Sequence, residues 1–281
     1  MMTFLFWNSK DAKGDLIGKL VAEHKADVLV LTESSADVDT VLEEIQKADG
    51  TTFSLDPVRR SVAIFTRFTG GKLGHEYDDQ RLSIRRIHST PEDILLVAAH
   101  LRSKSDTSDP SQAALTPRYA YEIQRIEEKI GHRRTLLVGD LNMNPFDDGM
   151  VQATGFHAIP SHRVATERGR KNHKGEREVD GKYYPYFYNP MWNCFGDERG
   201  GPPGTFYRDK GDPIAHFWHI YDQVLLRPLL VPRFVHKDLK ILSHCGNVSL
   251  LNDNGQPDKG SASDHLPIVF RLNVSSSGAN P

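Results

Sequence analysis

Residues 136–142 read Leu-Leu-Val-Gly-Asp-Leu-Asn, an apolar strand that runs into a glycine and presents Asp140 and Asn142. Positions two apart on a strand point the same way, so a carboxylate and an amide share one face. Together they offer hard oxygen ligands and a hydrogen-bonding arm, which suits Mg²⁺ and a phosphate. Asp and Asn after Gly are also ordinary turn formers, so the motif gains meaning only if other polar groups join it.

Such groups recur at the ends of other apolar runs. Asn8 follows Thr3–Trp7, Glu33 follows 27–31, and His100 follows Ile94–Ala99, all at carboxyl ends. Asp222 and the triplet Ser263-Asp264-His265 instead precede their runs, 223–226 and 266–272. If those last strands run antiparallel to the others, every one of these groups reaches the same edge. Glu33 with Asn8 offers the oxygen-rich shell that Mg²⁺ accepts. His100 with His265 leaves zinc as the alternative. His265 changes charge near neutral pH unless a neighbouring carboxylate holds it cationic.

Short β-branched runs with helical patterns between them form the frame that must position these groups. Residues 14–25, 35–48 and 111–130 carry apolar residues at helical spacing, the last between Pro110 and Gly131. Strands and helices interleave early and strands follow one another late, which predicts an α/β chain with mixed sheets.

The ordered set Trp7-Asn8, Thr32-Glu33, His100-Leu101, Gly139-Asp140-Leu141-Asn142, Asp222 and Ser263-Asp264-His265 resembles the endonuclease/exonuclease/phosphatase superfamily. The resemblance implies two mixed, largely antiparallel β-sheets packed as a sandwich flanked by helices. It also implies a Mg²⁺-assisted cleft between the sheet edges, with Mn²⁺ able to substitute. On that pattern Glu33 is the principal metal ligand, with Asn8 beside it and Asp264 as a further contributor. Asp140 positions or deprotonates the attacking water, and Asn142 hydrogen-bonds the phosphate or nucleophile. Asp222 partners His265, which acts either as base or as a stabiliser of transition-state charge. His100 protonates the leaving oxygen or binds the phosphate. Lys10 departs from the pattern, standing where some branches carry an acid near the metal.

At 281 residues with 38% hydrophobic content the chain reads as a single domain, 1–274, with a flexible tail at 275–281. A net charge of −2 excludes a histone-like DNA binder but not a local basic groove. The region 157–215 is rich in Gly, Pro, Tyr and basic residues without periodicity, and reads as a loop-rich insertion over one sheet edge. Within it Arg163, Arg168, Arg170 and Lys171 precede a run of tyrosines, a pairing that suits phosphates and stacked bases. Trp218 and His219 are further candidates for substrate contact. No apolar stretch approaches the roughly 20 residues needed to insert in a membrane, and the N-terminus has no basic leader. Cys194 and Cys245 form no CxxC pair, which predicts reduced thiols in a cytoplasmic protein. The expectation is a metal-dependent phosphodiesterase acting on nucleic acid. Its alternatives are a phosphatase or phosphodiesterase for inositol phosphates or phospholipid, and a non-catalytic binding module.

Overall fold

Alternation along the apolar strands sets the architecture. Strand β1 (Met2–Asn8) sends Phe4 and Phe6 to one face and Leu5 and Trp7 to the other, and both faces are buried. A strand covered on both sides reads as an unbroken apolar run. The computed structural model describes residues 1–56, 61–169, 172–198, 200–211, 213 and 215–274. β1 pairs in parallel with β2 (Val28–Thr32) and antiparallel with the strand Ile268–Leu272. β4 (Val62–Thr66) pairs antiparallel with β2 and carries the short β3 (Ser54–Leu55) at the sheet edge.

The second sheet runs β5 (Leu73–Asp78), β6 (Leu82–Ile87), β7 (Ile94–His100), β8 (Thr135–Asp140), then Asp222–Leu226, Phe187–Tyr188 and Ala158–Ile159. β7 and β8 are parallel, and Asp222–Leu226 lies antiparallel to β8. Phe4, Phe6, Val30, Leu96, Val138, Val224 and Phe270 meet between the two sheets. The opposite parity faces helices. Leu5, Leu29 and Leu31 pack on α1 (Gly14–His24) and α2 (Val38–Asp49), while Leu95, Val97 and Leu137 pack on Tyr119, Ile123 and Ile126 of α3 (Asp109–Ile130). The result is the helix-flanked sandwich expected from the motifs. α3 has Pro110 in its first turn and ends at Gly131 with φ 75°, the left-handed cap that favours glycine.

Of the longer sheet strands, β5 and β6 escape the apolar-run criterion. β5 is half-exposed along its length, and β6 carries Arg85, buried and ion-paired to Asp56 and to Asp78 at 2.9 Å. Residues 157–215 are also more integrated than a loop insertion. They contain a helix (His162–Glu167), a hairpin (Glu176–Val179 with Lys182–Pro185) and two strands of the second sheet. Tyr186, Tyr188 and Met191 enter the inter-sheet core, so part of the tyrosine run is packing. The tail at 275–281 lies outside the described residues. Among the described residues no helix is long and apolar enough to cross a membrane.

Candidate active site

The polar strand ends converge because they continue one parity. On β7, β8 and Asp222–Leu226 the inward-facing residues are Leu96 and Ala98, Leu136 and Val138, and Val224 and Leu226. Two steps further along each strand stand His100, Asp140 and Asp222, paired across the sheet as His100 with Asp140 and Asp140 with Asp222. Asn8 continues Phe4 and Phe6 on β1 in the opposite sheet. The same alternation that builds the core therefore delivers four polar side chains to the open edge between the sheets.

Asp140, 1% exposed, is the hub. Its Oδ1 accepts the Asn142 backbone N–H at 2.9 Å, and its Oδ2 accepts Asn8 Nδ2 at 3.0 Å. That Oδ2 also lies 3.9 Å from His265 Nε2 and 4.0 Å from His100 Nε2. Asn142, at φ 51°, donates Nδ2 to the Leu101 carbonyl at 3.2 Å. An amide nitrogen has two hydrogens, so the second stays available to a ligand. Glu33 is also held at φ 51°, a left-handed conformation uncommon for a residue with a side chain. It places the Glu33 carboxylate 3.0 Å from His100 Nε2. The hydrogen bond from His100 holds the Glu33 carboxyl down to about 2, outweighing its partial burial.

The Ser263-Asp264-His265 triplet is tied to the end of β1. Ser263 Oγ donates to the Asn8 carbonyl at 2.7 Å and accepts the His265 N–H, while Trp7 Nε1 donates to the His265 carbonyl. This fixes the ring so that Nδ1 meets Asp222 at 2.8 Å and Nε2 faces Asp140. Burial disfavours a charge on His265, but Asp222 and Asp140 overcome it and raise the imidazole to about 9. Burial also pushes the Asp222 carboxyl up, so the pair retains a proton at neutral pH.

The sign of a pH effect follows from this pair. A histidine with a raised value is cationic below it, so activity that uses the imidazolium is expected to fall as pH rises through about 9. The stability contributed by the shift is fully present below the ordinary value of 6.5 and fades over the same rise. In Asp222→Asn the alkaline limb of the pH–rate profile moves toward neutrality. A wild-type profile with that limb near 6.5 would contradict the assignment.

Donor atoms of Glu33, His100 and Asp140 lie within 4.8 Å of one another, and so do those of Asp140, Asp222 and His265. Asn8 Oδ1 is buried with no hydrogen-bond partner among the described residues. Carboxylates plus an orphaned amide oxygen fit a hard divalent cation. His100 and His265 fall in separate triads that share only Asp140, which does not build a tetrahedral zinc site around both. Asp264 already has a cation: Lys10 Nζ lies 2.7 Å away, and their hydrogen bond raises the lysine. The lysine thus supplies a fixed positive charge where some relatives of this pattern carry an acid.

Glu33, Asp140, Asn142, Asp264 and His265 border one cleft of about 810 Å³. Its rim holds Arg208, Lys210 and Lys259, and Phe206 stands 4.6 Å from the His265 ring. None of these rim residues is marked by the sequence motifs, since 205–217 has no periodicity to give it direction. His219 backs an adjoining pocket and takes a hydrogen bond from Asn144 on Nδ1 at 3.0 Å. Burial lowers it to about 4, so it is neutral. Trp218 pairs with Tyr207 in a short ribbon and packs on the helix-covered core of the first sheet; it does not line the cleft.

Arg163 and Arg168 belong to the opposite end of the molecule. Their helix contacts Phe187–Tyr188 and 228–233, and Tyr188 pairs with Leu226, which in turn pairs with Leu136 near the start of β8. The neighbouring hairpin is anchored there too, through Glu176 and Arg133. Asp140 ends the same strand, roughly 17 Å away by strand rise. Arg163 also pairs with Glu167 at 3.0 Å. Arg170 and Lys171 lie outside the described residues.

A helix-flanked pair of mixed sheets with this edge defines the DNase-I-like fold. Residues 5–265 match the model of the Endonuclease/Exonuclease/phosphatase family, and the chain belongs to that family, whose members are generally metal-dependent phosphoester hydrolases. No curated protein sequence matches it. Similar solved structures include TDP2 from D. rerio complexed with a single-strand DNA product, at 16% identity and TM-score 0.54, covering 97% of this chain and 98% of that one. An endonuclease/exonuclease/phosphatase family protein from Leptotrichia buccalis C-1013-b aligns at 15% identity and TM-score 0.56, covering 97% and 100%. The 3′ phosphatase NExo from Neisseria, bound to a product DNA hairpin, aligns at 17% identity and TM-score 0.50, again covering 97% and 100%. At these identities the likeness carries the fold.

Proposed function

We propose that this protein is a Mg²⁺-dependent phosphodiesterase acting on nucleic acid, with Mn²⁺ able to substitute. The observation that supports it most is the convergence of Asn8, Glu33, His100, Asn142 and the Asp222–His265 pair on Asp140. Glu33 and Asn8 would hold the ion, with Asp264 at the margin and Lys10 balancing its charge. A bound divalent cation polarises the phosphate and offsets its charge. Asp140 accepts the proton of the attacking water and orients it. His265, kept cationic by Asp222, donates to a phosphate oxygen as charge develops. Asn142 contributes its free N–H, and His100 gives a proton to the leaving oxygen as its bond to phosphorus breaks.

The substrate reading rests on the rim. Arg208, Lys210 and Lys259 have no ion pair among the described residues, and three cations along one cleft suit a polyanionic strand more than a single phosphomonoester. A non-catalytic module would have no use for a buried, unpartnered Asn8 Oδ1, which costs stability. The buried free thiol of Cys245 fits a reducing cytoplasm.

Purified protein is to be offered single-stranded DNA, duplex DNA, RNA, inositol phosphates and sphingomyelin, with Mg²⁺, Mn²⁺ or chelator. Cleavage of nucleic acid that chelator abolishes supports the proposal; hydrolysis confined to the small phosphoesters or to lipid overturns its substrate. Glu33→Gln is expected to raise the Mg²⁺ concentration for half-maximal activity by about tenfold or more. Manganese binding by electron paramagnetic resonance should weaken in parallel, and an unchanged metal titration would remove Glu33 from the ligand set.

A further inference from the structure

Beside the catalytic edge, on the α3 side, lies a second concavity of about 500 Å³ lined by Arg81, Arg102, Arg118 and Tyr119. It adjoins the site through the backbone. The Arg81 carbonyl accepts the His100 N–H at 2.9 Å, and Arg102 follows His100 by two residues. The Arg102 carbonyl and the Asn142 carbonyl are joined by the same Gln112 amide, at 2.8 and 3.0 Å. Whatever occupies this pocket therefore sits next to the proposed leaving-group side of the cleft.

Its chemistry is unspent. The guanidiniums of Arg81 and Arg102 make no hydrogen bond or ion pair among the described residues, and Arg118 reaches only Asp79, at 3.9 Å. The acids that border the pocket, Asp78 and Asp79, have most of their hydrogen-bonding capacity taken up. Asp78 binds Arg85 at 2.9 Å and His75 at 2.7 Å. Asp79 accepts the Arg81 and Leu82 N–H groups, each at 2.7 Å, and the Tyr77 hydroxyl at 3.1 Å. Tyr119 is 6% exposed, lines the pocket, and its hydroxyl has no hydrogen-bond partner among the described residues. Burial pushes that hydroxyl up, while the positive charges of Arg81, Arg102 and Arg118 all act on it in the opposite sense. All three arginines line the one pocket with Tyr119. Asp78 is already shared with Arg85 and His75, so three arginines face the single remaining charge of Asp79 and leave the pocket net positive; the planar fork of arginine matches a phosphate.

We propose that this pocket is a phosphate subsite that grips the substrate strand beyond the scissile bond, on the His100 side of the cleft. It rests on the nucleic-acid reading above and extends it. The strand would cross the sheet edge from the Arg208–Lys259 rim, past Asp140, to Arg81, Arg102 and Arg118. A substrate too short to span that path gains nothing from the arginines.

The double variants Arg102→Ala/Arg118→Ala and Arg102→Lys/Arg118→Lys test it, because both side chains are exposed and neither supports the core. Binding of a fluorescent oligonucleotide is measured by anisotropy in chelator across a salt series, and cleavage by steady-state kinetics on that oligonucleotide and on a dinucleotide. The alanine pair is expected to weaken oligonucleotide binding and raise KM at least tenfold, with kcat within about twofold and the dinucleotide unaffected. The slope of log affinity against log salt should fall by roughly 0.7 for a single strand, the share of the one phosphate the arginines no longer neutralise. The lysine pair should recover much of the slope but less of the affinity. Unchanged affinity and slope, with cleavage intact, overturn the subsite while leaving the nuclease reading standing. An equal loss on the dinucleotide also overturns it, by assigning the arginines to the scissile phosphate. Failure of the wild type to cleave any nucleic acid overturns both.

Discussion

Asp140→Asn is expected to lower kcat by about 10³–10⁴-fold, in the range lost with a positioned base and a charge partner, while the protein stays folded. The substitution keeps the shape of the side chain. Its oxygen can still accept the Asn142 N–H, now made at 2.9 Å. The new amide nitrogen would meet the Asn8 Nδ2 donor, which lies 3.0 Å from the present carboxylate. Asn8 resolves that conflict by rotating its own amide, since its Oδ1 has no partner among the described residues, at the expense of the oxygen proposed for the ion. The chemistry does not survive as well. No base remains to take the proton of water, and His265 loses one of the carboxylates that hold it protonated. Single-turnover rates at saturating metal measure the loss, and a residual rate within tenfold of wild type would show that Asp140 does not handle the nucleophile.

The same residues explain how much of the site a reader of the sequence can see. Asn8, His100, Asp140 and Asp222 are legible because each interrupts an apolar run at its end, and strand parity sends all four to one face. Their convergence needed the sense of the late strands, and the antiparallel pairing of Ile268–Leu272 with β1 and of Asp222–Leu226 with β8 supplies it. Other parts have no local signal. Glu33 reaches His100 through a positive φ that its neighbours do not announce. Arg208 and Lys210 lie in a stretch without period, so their approach to the cleft is a tertiary outcome. The cluster of Arg163 and Arg168 shows the converse. Its charge is conspicuous, but an unpatterned segment carries no direction, and the fold takes it to the far end of β8. Arg81 and Arg102, whose backbones flank His100, stand apart in sequence and become a cluster with Arg118 only when β6, β7 and α3 assemble.

Gly139→Ala carries the largest expected structural effect, and it revises the role of the glycine in the Gly-Asp-Leu-Asn motif. Gly139 is a strand residue of β8, paired in parallel register with Ala99. A Cβ there would lie 2.0 Å from the Ala99 carbonyl oxygen, 2.7 Å from its carbon and 2.9 Å from the Ala99 nitrogen. All three are backbone atoms, so no rotamer change relieves the clash and the strands must separate. The next residues on those strands are His100 and Asp140, whose side chains now approach to 4.0 Å. Overpacking of this kind costs about 3 kcal/mol at the severe end of its range, and a shift of about 1 Å among reacting groups costs on the order of 10²-fold in rate. Gly139→Ala should therefore lower the urea midpoint markedly and leave the folded fraction at least a hundredfold less active. Adding Ala99→Gly should restore neither property, because the atoms in the way belong to the main chain rather than to the alanine methyl. Full activity with an unchanged midpoint would mean that the close approach of β7 and β8 does not set the distance between His100 and Asp140.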